Sequence, residues 1–218
     1  MTLRLIAVAF TLAGLVAPAA HAAPCAGFSD VEDTHPFCRN IEWIKNRKVT
    51  LGCTTTTYCP NDSVSRLQMA AFMNRLGTAL TPLVLKRELV SGTQDIDTSP
   101  VVCATTDQAI ADYPRSALVD VAVSAAAASA VDFTVRGVYS TNGGASWQPV
   151  AAVASVAFAS ASQWGQASDF GTLDLAVGQT VRFGAQLARS GAGTTDLSDS
   201  RCLVRAQIVS RDGAATPF

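Results

Sequence analysis

Residues Phe28–Leu76 read FSDVEDTHPFCRNIEWIKNRKVTLGCTTTTYCPNDSVSRLQMAAFMNRL. The pattern predicts helix, tight loop, helix. Asp33 or Thr34 can cap a helix beginning near Pro36, since Pro is tolerated in a first turn. Phe37, Ile41 and Ile44 recur at helical spacing and make one apolar stripe, with Trp43 beside it. Lys45, Arg47 and Lys48 gather at the far end, where positive charge suits the helix dipole. Gly52 permits a turn, Cys53 and Cys59 enclose a short polar loop, and Pro60-Asn61-Asp62 is turn chemistry. The second helix opens on a capping box, with Ser65 at the N-cap and Gln68 three residues on. Val64 and Met69 suit a hydrophobic staple around it. Met69, Phe72, Met73 and Leu76 form its apolar face, and Gly77 suits the position just past its end. Two short helices bury little surface, so disulfide staples make physical sense here.

Upstream, Arg4 precedes an apolar run from Leu5 to Ala17, followed by Ala20-His21-Ala22. This predicts a secretory signal over residues 1–22, cleaved after Ala22. The run is shorter than the roughly 20 apolar residues a membrane span needs, and no other stretch is apolar enough. The remaining chain suffices for one medium domain and a small one. Its formal charge, −1 for the full sequence and one unit lower without Arg4, gives no basic surplus. Nucleic acid, whose binding needs phosphates neutralised, is therefore not an expected partner. All six cysteines follow the signal, and an even number in an exported chain suggests disulfides. Sequence alone leaves their connectivity open. The local arrangement is Cys25–Cys38, Cys53–Cys59 and Cys103–Cys202. No C-x-x-C occurs and His35 alone remains of the two histidines, so neither a metal nor another cofactor is expected.

The stretch from Phe28 resembles a surface-layer homology (SLH) motif. That family reads Phe-x-Asp-Val, a helix with an aromatic and an Ile, Gly-Ile-x-x-Gly, a turn with Pro, then Thr-Arg-Ala-Glu. Here Phe28, Asp30 and Val31 match the start, and Ile41, Trp43 and Ile44 the first helix. Val49 and Gly52 match the middle, Pro60 the turn, and Ser65-Arg66-Leu67-Gln68 the last signature. Ser for Thr and Gln for Glu preserve the capping box and remove a carboxylate. The first Gly of the family's turn is replaced near Lys48. The resemblance implies noncovalent attachment to cell-wall polysaccharide or peptidoglycan. By position it makes Arg66 the residue that meets an anionic glycan, with Asp30 and Trp43 beside it. A fork of donors at a helix's first turn suits that task. The bland alternative reads Arg66 as a solvated first-turn residue and Asp30 and Trp43 as structural, with core packing favoured for Trp43. Family anchors carry three tandem motifs in a pseudo-threefold unit, and this chain shows one. Either that motif is a structural cap, or three chains supply one each as a homotrimer.

Beyond residue 80 the composition shifts to Ala, Val, Ser, Thr and Gly. Val119, Val121 and Val123 alternate with polar or small residues, as do Val131, Phe133 and Val135. Leu173, Leu175 and Val177 follow, then Val181, Phe183, Ala185 and Leu187, then Cys202, Val204, Ala206 and Ile208. Period-two runs separated by turn residues predict antiparallel β structure, most simply a sandwich. Ala125–Ala128 reads as a connection. Ser140–Trp147 resembles the Asp-box hairpin with Asn142 in the Asp place. The favoured reading is a hairpin on which Trp147 packs back. The functional alternative is that Trp147 or Trp164 stacks on sugar rings.

The expected fold class is thus α+β in two modules. A small disulfide-stapled two-helix SLH-like module spans 23–80. Residues 81–100 are a linker or first strand, and an antiparallel, jelly-roll-like β-sandwich spans 101–218. No G-x-S-x-G, H-E-x-x-H, P-loop or dinucleotide fingerprint occurs. Asp95/Asp97, Asp107/Asp112 and Asp196/Asp199 fall in turn-rich stretches, where Asp is expected for backbone reasons. The sequence therefore predicts a secreted, noncatalytic cell-envelope protein that holds wall polymer and displays a sandwich. The alternative is a carbohydrate-binding or glycan-hydrolysing β-sandwich with an SLH-like appendage.

Overall fold

A computed structural model describes residues 23–90, 94–191, 193 and 195–211. The expected signal segment lies outside the described residues. Strands β1 (Pro24–Cys25) and β2 (Phe28–Glu32) pair antiparallel ahead of helix α1 (Cys38–Asn46). The Cys25–Cys38 disulfide ties this hairpin to the first residue of α1, around buried Phe28, Val31 and Ile41. Two expectations fail here. Neither Asp33 nor Thr34 caps α1, whose cap position is Phe37 without a side-chain bond. The Asp33 N–H is engaged by the Ala23 carbonyl, and the Phe37 N–H donates to His35 Nδ1, so the chain turns before the helix starts. Phe37 is consequently exposed rather than part of the apolar stripe.

Helix α2 (Arg66–Leu80) opens on the expected capping box. The Gln68 N–H donates to Ser65 Oγ at 3.2 Å, and the Ser65 N–H donates to Gln68 Oε1 at 2.8 Å. The expected stop at Gly77 is wrong. The helix continues to Leu80 and closes at Thr81, whose N–H and hydroxyl both donate to the Gly77 carbonyl. Val64 and Met69, the two residues of the expected staple, are both exposed.

The rest is mostly antiparallel sheet. Its strands are β3 (Leu83–Val90), β4 (Gln94–Ile96), β5 (Val101–Thr105), β6 (Ala109–Ile110), β7 (Arg115–Ala127) and β8 (Val131–Ser140). They continue as β9 (Gln148–Pro149), β10 (Ser155–Ala159), β11 (Gly165–Leu175), β12 (Thr180–Arg189) and β13 (Thr195–Ser210). One sheet runs β10-β8-β12-β5 and the other β11-β7-β13-β3. The eight strands of these two paths switch sheet at each step except from β8 to β10, which pair with each other, and this is the order expected of a jelly roll. Stretch 81–100 contributes β3 and β4, both paired to β13. Ala125–Ala128 is not a connection, since β7 runs through Ala127 with Ala125 and Ala127 buried.

Val119, Val121 and Val123 of β7 face Phe133, Val135, Phe183 and Leu187 across a shared core. Period-two burial is the physical reason the sandwich forms: one face of each strand is removed from water. Cys103–Cys202 joins β5 of one sheet to β13 of the other, closing a separation of 99 residues. The three disulfides are those expected, and they fit an oxidising compartment. No helix among the described residues is long and apolar enough to cross a membrane.

The helical part touches the sandwich through Val49, Ala79 and Tyr113, with Ile44 and Leu76 packed on them. The Ala79 carbonyl, near the end of α2, accepts from the Tyr113 hydroxyl at 3.4 Å and the Ser210 hydroxyl at 2.5 Å.

Candidate functional site

The helical part presents a small concavity at the start of α2, built from the disulfide loop outward. Gly52 adopts φ +77°, and a Cβ there would lie 2.4 Å from the Thr57 carbonyl oxygen and 2.7 Å from the Phe28 ring. Only Gly lets the chain pass so closely under the loop. The loop is closed by Cys53–Cys59 and fastened to β2 from outside. The Ser29 N–H donates to the Thr56 carbonyl at 2.8 Å. The N–H groups of Tyr58 and Cys59 donate to the two Asp30 carboxylate oxygens at 2.8 and 2.7 Å. The Tyr58 N–H, aided by that of Cys59, holds the Asp30 carboxyl below the usual carboxylate range, against the opposing loss of hydration.

Past the loop, the turn at Pro60–Asp62 leads into the capping box. A cavity of about 200 Å³ lies there, lined by Thr50, Tyr58, Asp62, Ser63, Gln68 and Phe72. Arg66 stands exposed in the first turn of α2 and has no hydrogen-bond or ion-pair partner among the described residues. α2 has Ala79 as its buried residue, whereas Leu67 is 85%, Met73 60% and Leu80 60% exposed. An amphipathic helix normally buries such a face.

The other sequence-derived candidates are placed as follows. Both Asp30 oxygens are occupied by the loop, so its work there is holding backbone. Trp43 is half-buried, with the Arg47 guanidinium 4.2 Å from its ring centroid and Arg47 Nη1 donating to its carbonyl. One face of that indole is therefore taken. In the Asp-box-like hairpin, Asn142 Oδ1 accepts from the Ser146 N–H at 3.0 Å, and Ser140 Oγ accepts from the Gly144 N–H at 2.8 Å. Trp147 packs back on this turn: a Cβ on Gly144 would lie 3.5 Å from its ring, and one on Gly184 of β12 would lie 3.0 Å away. Trp164, ahead of β11, is exposed.

Tyr58 and Ser63 were not singled out from sequence, and Phe72 was read only as part of the apolar face of the second helix. Their one signal is position, flanking the disulfide loop and the capping box. Cys53, Cys59 and Asp62 lie close enough together to suggest a metal centre, but the two sulfurs are bonded to each other and offer no thiolate.

No protein-family model matches this chain, and no curated protein does. Among solved structures, the Eiger TNF of S. frugiperda superposes with TM-score 0.37 at 7% identity, over 62% of this chain and 98% of that one. A structure of infectious bursal disease virus, Gx strain, superposes with TM-score 0.31 at 8% identity, over 61% of this chain and 37% of the other.

Proposed function

We propose that this is a secreted, noncatalytic cell-envelope protein whose SLH-like helical module holds cell-wall polysaccharide or peptidoglycan while its sandwich is displayed. The observation that carries this reading is Arg66. Its guanidinium is unengaged and it stands in the first turn of α2; a cavity that Arg66 itself does not line opens beside the same helix start, with hydroxyls, an amide and an aromatic ring. That donor set suits an anionic sugar. The oxidised cysteines agree with export.

The uncovered Leu67, Met69 and Met73 support the second half of the proposal, that copies of the module associate, as a homotrimer, across α2. Purified sacculi should sediment the mature protein, and Arg66→Ala should weaken that binding about tenfold, the worth of one charge-assisted bond. Undiminished binding by Arg66→Ala refutes the site, and turnover on a glycan panel without sedimentation favours the hydrolase reading instead. A monomeric mass in light scattering refutes the trimer.

A further inference from the structure

At one edge of the sandwich β3 and β5 end opposite sheets, and the Cys103–Cys202 disulfide ties β5 to β13, the neighbour of β3. Beside that disulfide lies a cavity of about 350 Å³, lined by Arg87, Cys103, Thr105, Asp107 and Arg182 among others. Along β3 the core-facing register positions are Leu83, Leu85, Arg87 and Leu89, opposite Ile208, Ala206, Val204 and Cys202. Arg87 therefore interrupts a row of leucines and sets a cation at the mouth of the sandwich.

Arg182, from β12 of the other sheet, contributes a second cation. Its Nε is shut off from solvent and has no hydrogen-bond partner. A dry, unpaired guanidinium N–H is unfavourable and rare in folded proteins. Neither guanidinium has an ion pair or hydrogen bond among the described residues. Asp107 lines the same cavity, is exposed, and is paired with neither. Trp147 borders the region, because its ring and Val102 meet above Gly184, and Val102 lines the cavity.

We propose that this cavity is an oxyanion site for an acidic saccharide or polyol, with Arg87 and Arg182 taking the carboxylate or phosphate. Guanidinium forks match both groups in geometry and charge. Leu89 and Val102 supply an apolar wall for the rest of the ligand. The site belongs to the sandwich and does not depend on Arg66.

Calorimetric titrations of the mature chain carrying Arg66→Ala separate the two sites. The probes are an oligoglucuronate, a glycerol-phosphate oligomer and a neutral glucose oligomer. At least one acidic probe binds and the neutral one does not, and which acidic probe binds identifies carboxylate or phosphate as the ligand. Arg87→Gln and Arg182→Gln together weaken that binding about tenfold or more. Arg182→Lys restores part of it, since an ammonium keeps the charge and loses the fork. Arg87→Gln alone, at an exposed edge, tests the site even where the double variant unfolds. The proposal is overturned when no acidic probe binds, when the neutral oligomer binds equally, or when Arg87→Gln and the double variant bind as the parent does. In those cases Arg87 is an edge guard, a charge that stops strand addition to β3.

Discussion

Replacing both Cys103 and Cys202 with Ala tests how the sandwich is held. The bridge closes 99 residues, and loop-closure entropy for that span amounts to about 4.7 kcal/mol at 25 °C. The same arithmetic gives about 2.2 kcal/mol for Cys53–Cys59, with a separation of 6. Both Cys103 and Cys202 are buried, so losing two sulfurs from the core adds about 1 kcal/mol. The expected loss is therefore about 6 kcal/mol, comparable to the whole stability of a marginal domain. Urea unfolding followed by tryptophan fluorescence in a Trp43→Phe background reads the sandwich alone, through Trp147 and Trp164. The denaturant slope should also rise, because the freed unfolded chain exposes more surface. A loss below about 2 kcal/mol, or an unchanged slope, refutes the claim that the bridge acts by constraining the unfolded chain.

Gly52→Ala should destabilise the helical module by about 2 kcal/mol or more, through left-handed backbone and a Cβ driven into the Thr57 carbonyl. Fluorescence of Trp43 during denaturation checks this, and a neutral outcome would show that the loop yields freely. Asp30 has a folded-state pKa below its unfolded one, so its contribution is complete above the ordinary carboxylate value and disappears as pH falls through the folded one. Asp30→Asn should flatten the acid limb of the module's pH–stability profile, and an unchanged limb would exclude the loop bonds as its cause.

What could be read in advance was local or strictly periodic. Ser65 and Gln68 announce the start of α2 because both partners of the capping box lie within four residues. The valines of β7 alternate cleanly because both sheets bury the same face. The start of α1 was misplaced because the decisive partners are distant: Cys25, and an Ala23 carbonyl that engages Asp33. Lys48 gives no sign of its backbone, since it adopts φ +55°, where Gly is the easier occupant. β10 escaped notice because its pattern is inverted in size: Val156 and Phe158 face outward while Ala157 and Ala159 fill the core. The candidate site was half legible. Arg66 came from the SLH resemblance, by position, whereas Arg87, exposed but at a core-facing register position, became visible only when its register opposite Val204 was known.

The junction at Ala79 also sets how the molecule carries load. Only Thr81 and Pro82 separate α2 from β3, so tension applied through the helix first meets the Tyr113 and Ser210 bonds to Ala79. It then reaches the Leu83–Ile208 rung. β3 lies antiparallel to β13 at an edge, so pulling from this end peels it one rung at a time rather than shearing all eight. The long disulfide ties β5 to β13 and leaves β3 free to go, with the remaining strands still clamped behind it. Arg87 sits on the fifth rung from that end, so sufficient force on an anchored helix would strip one arginine from the edge cavity before the sandwich opens.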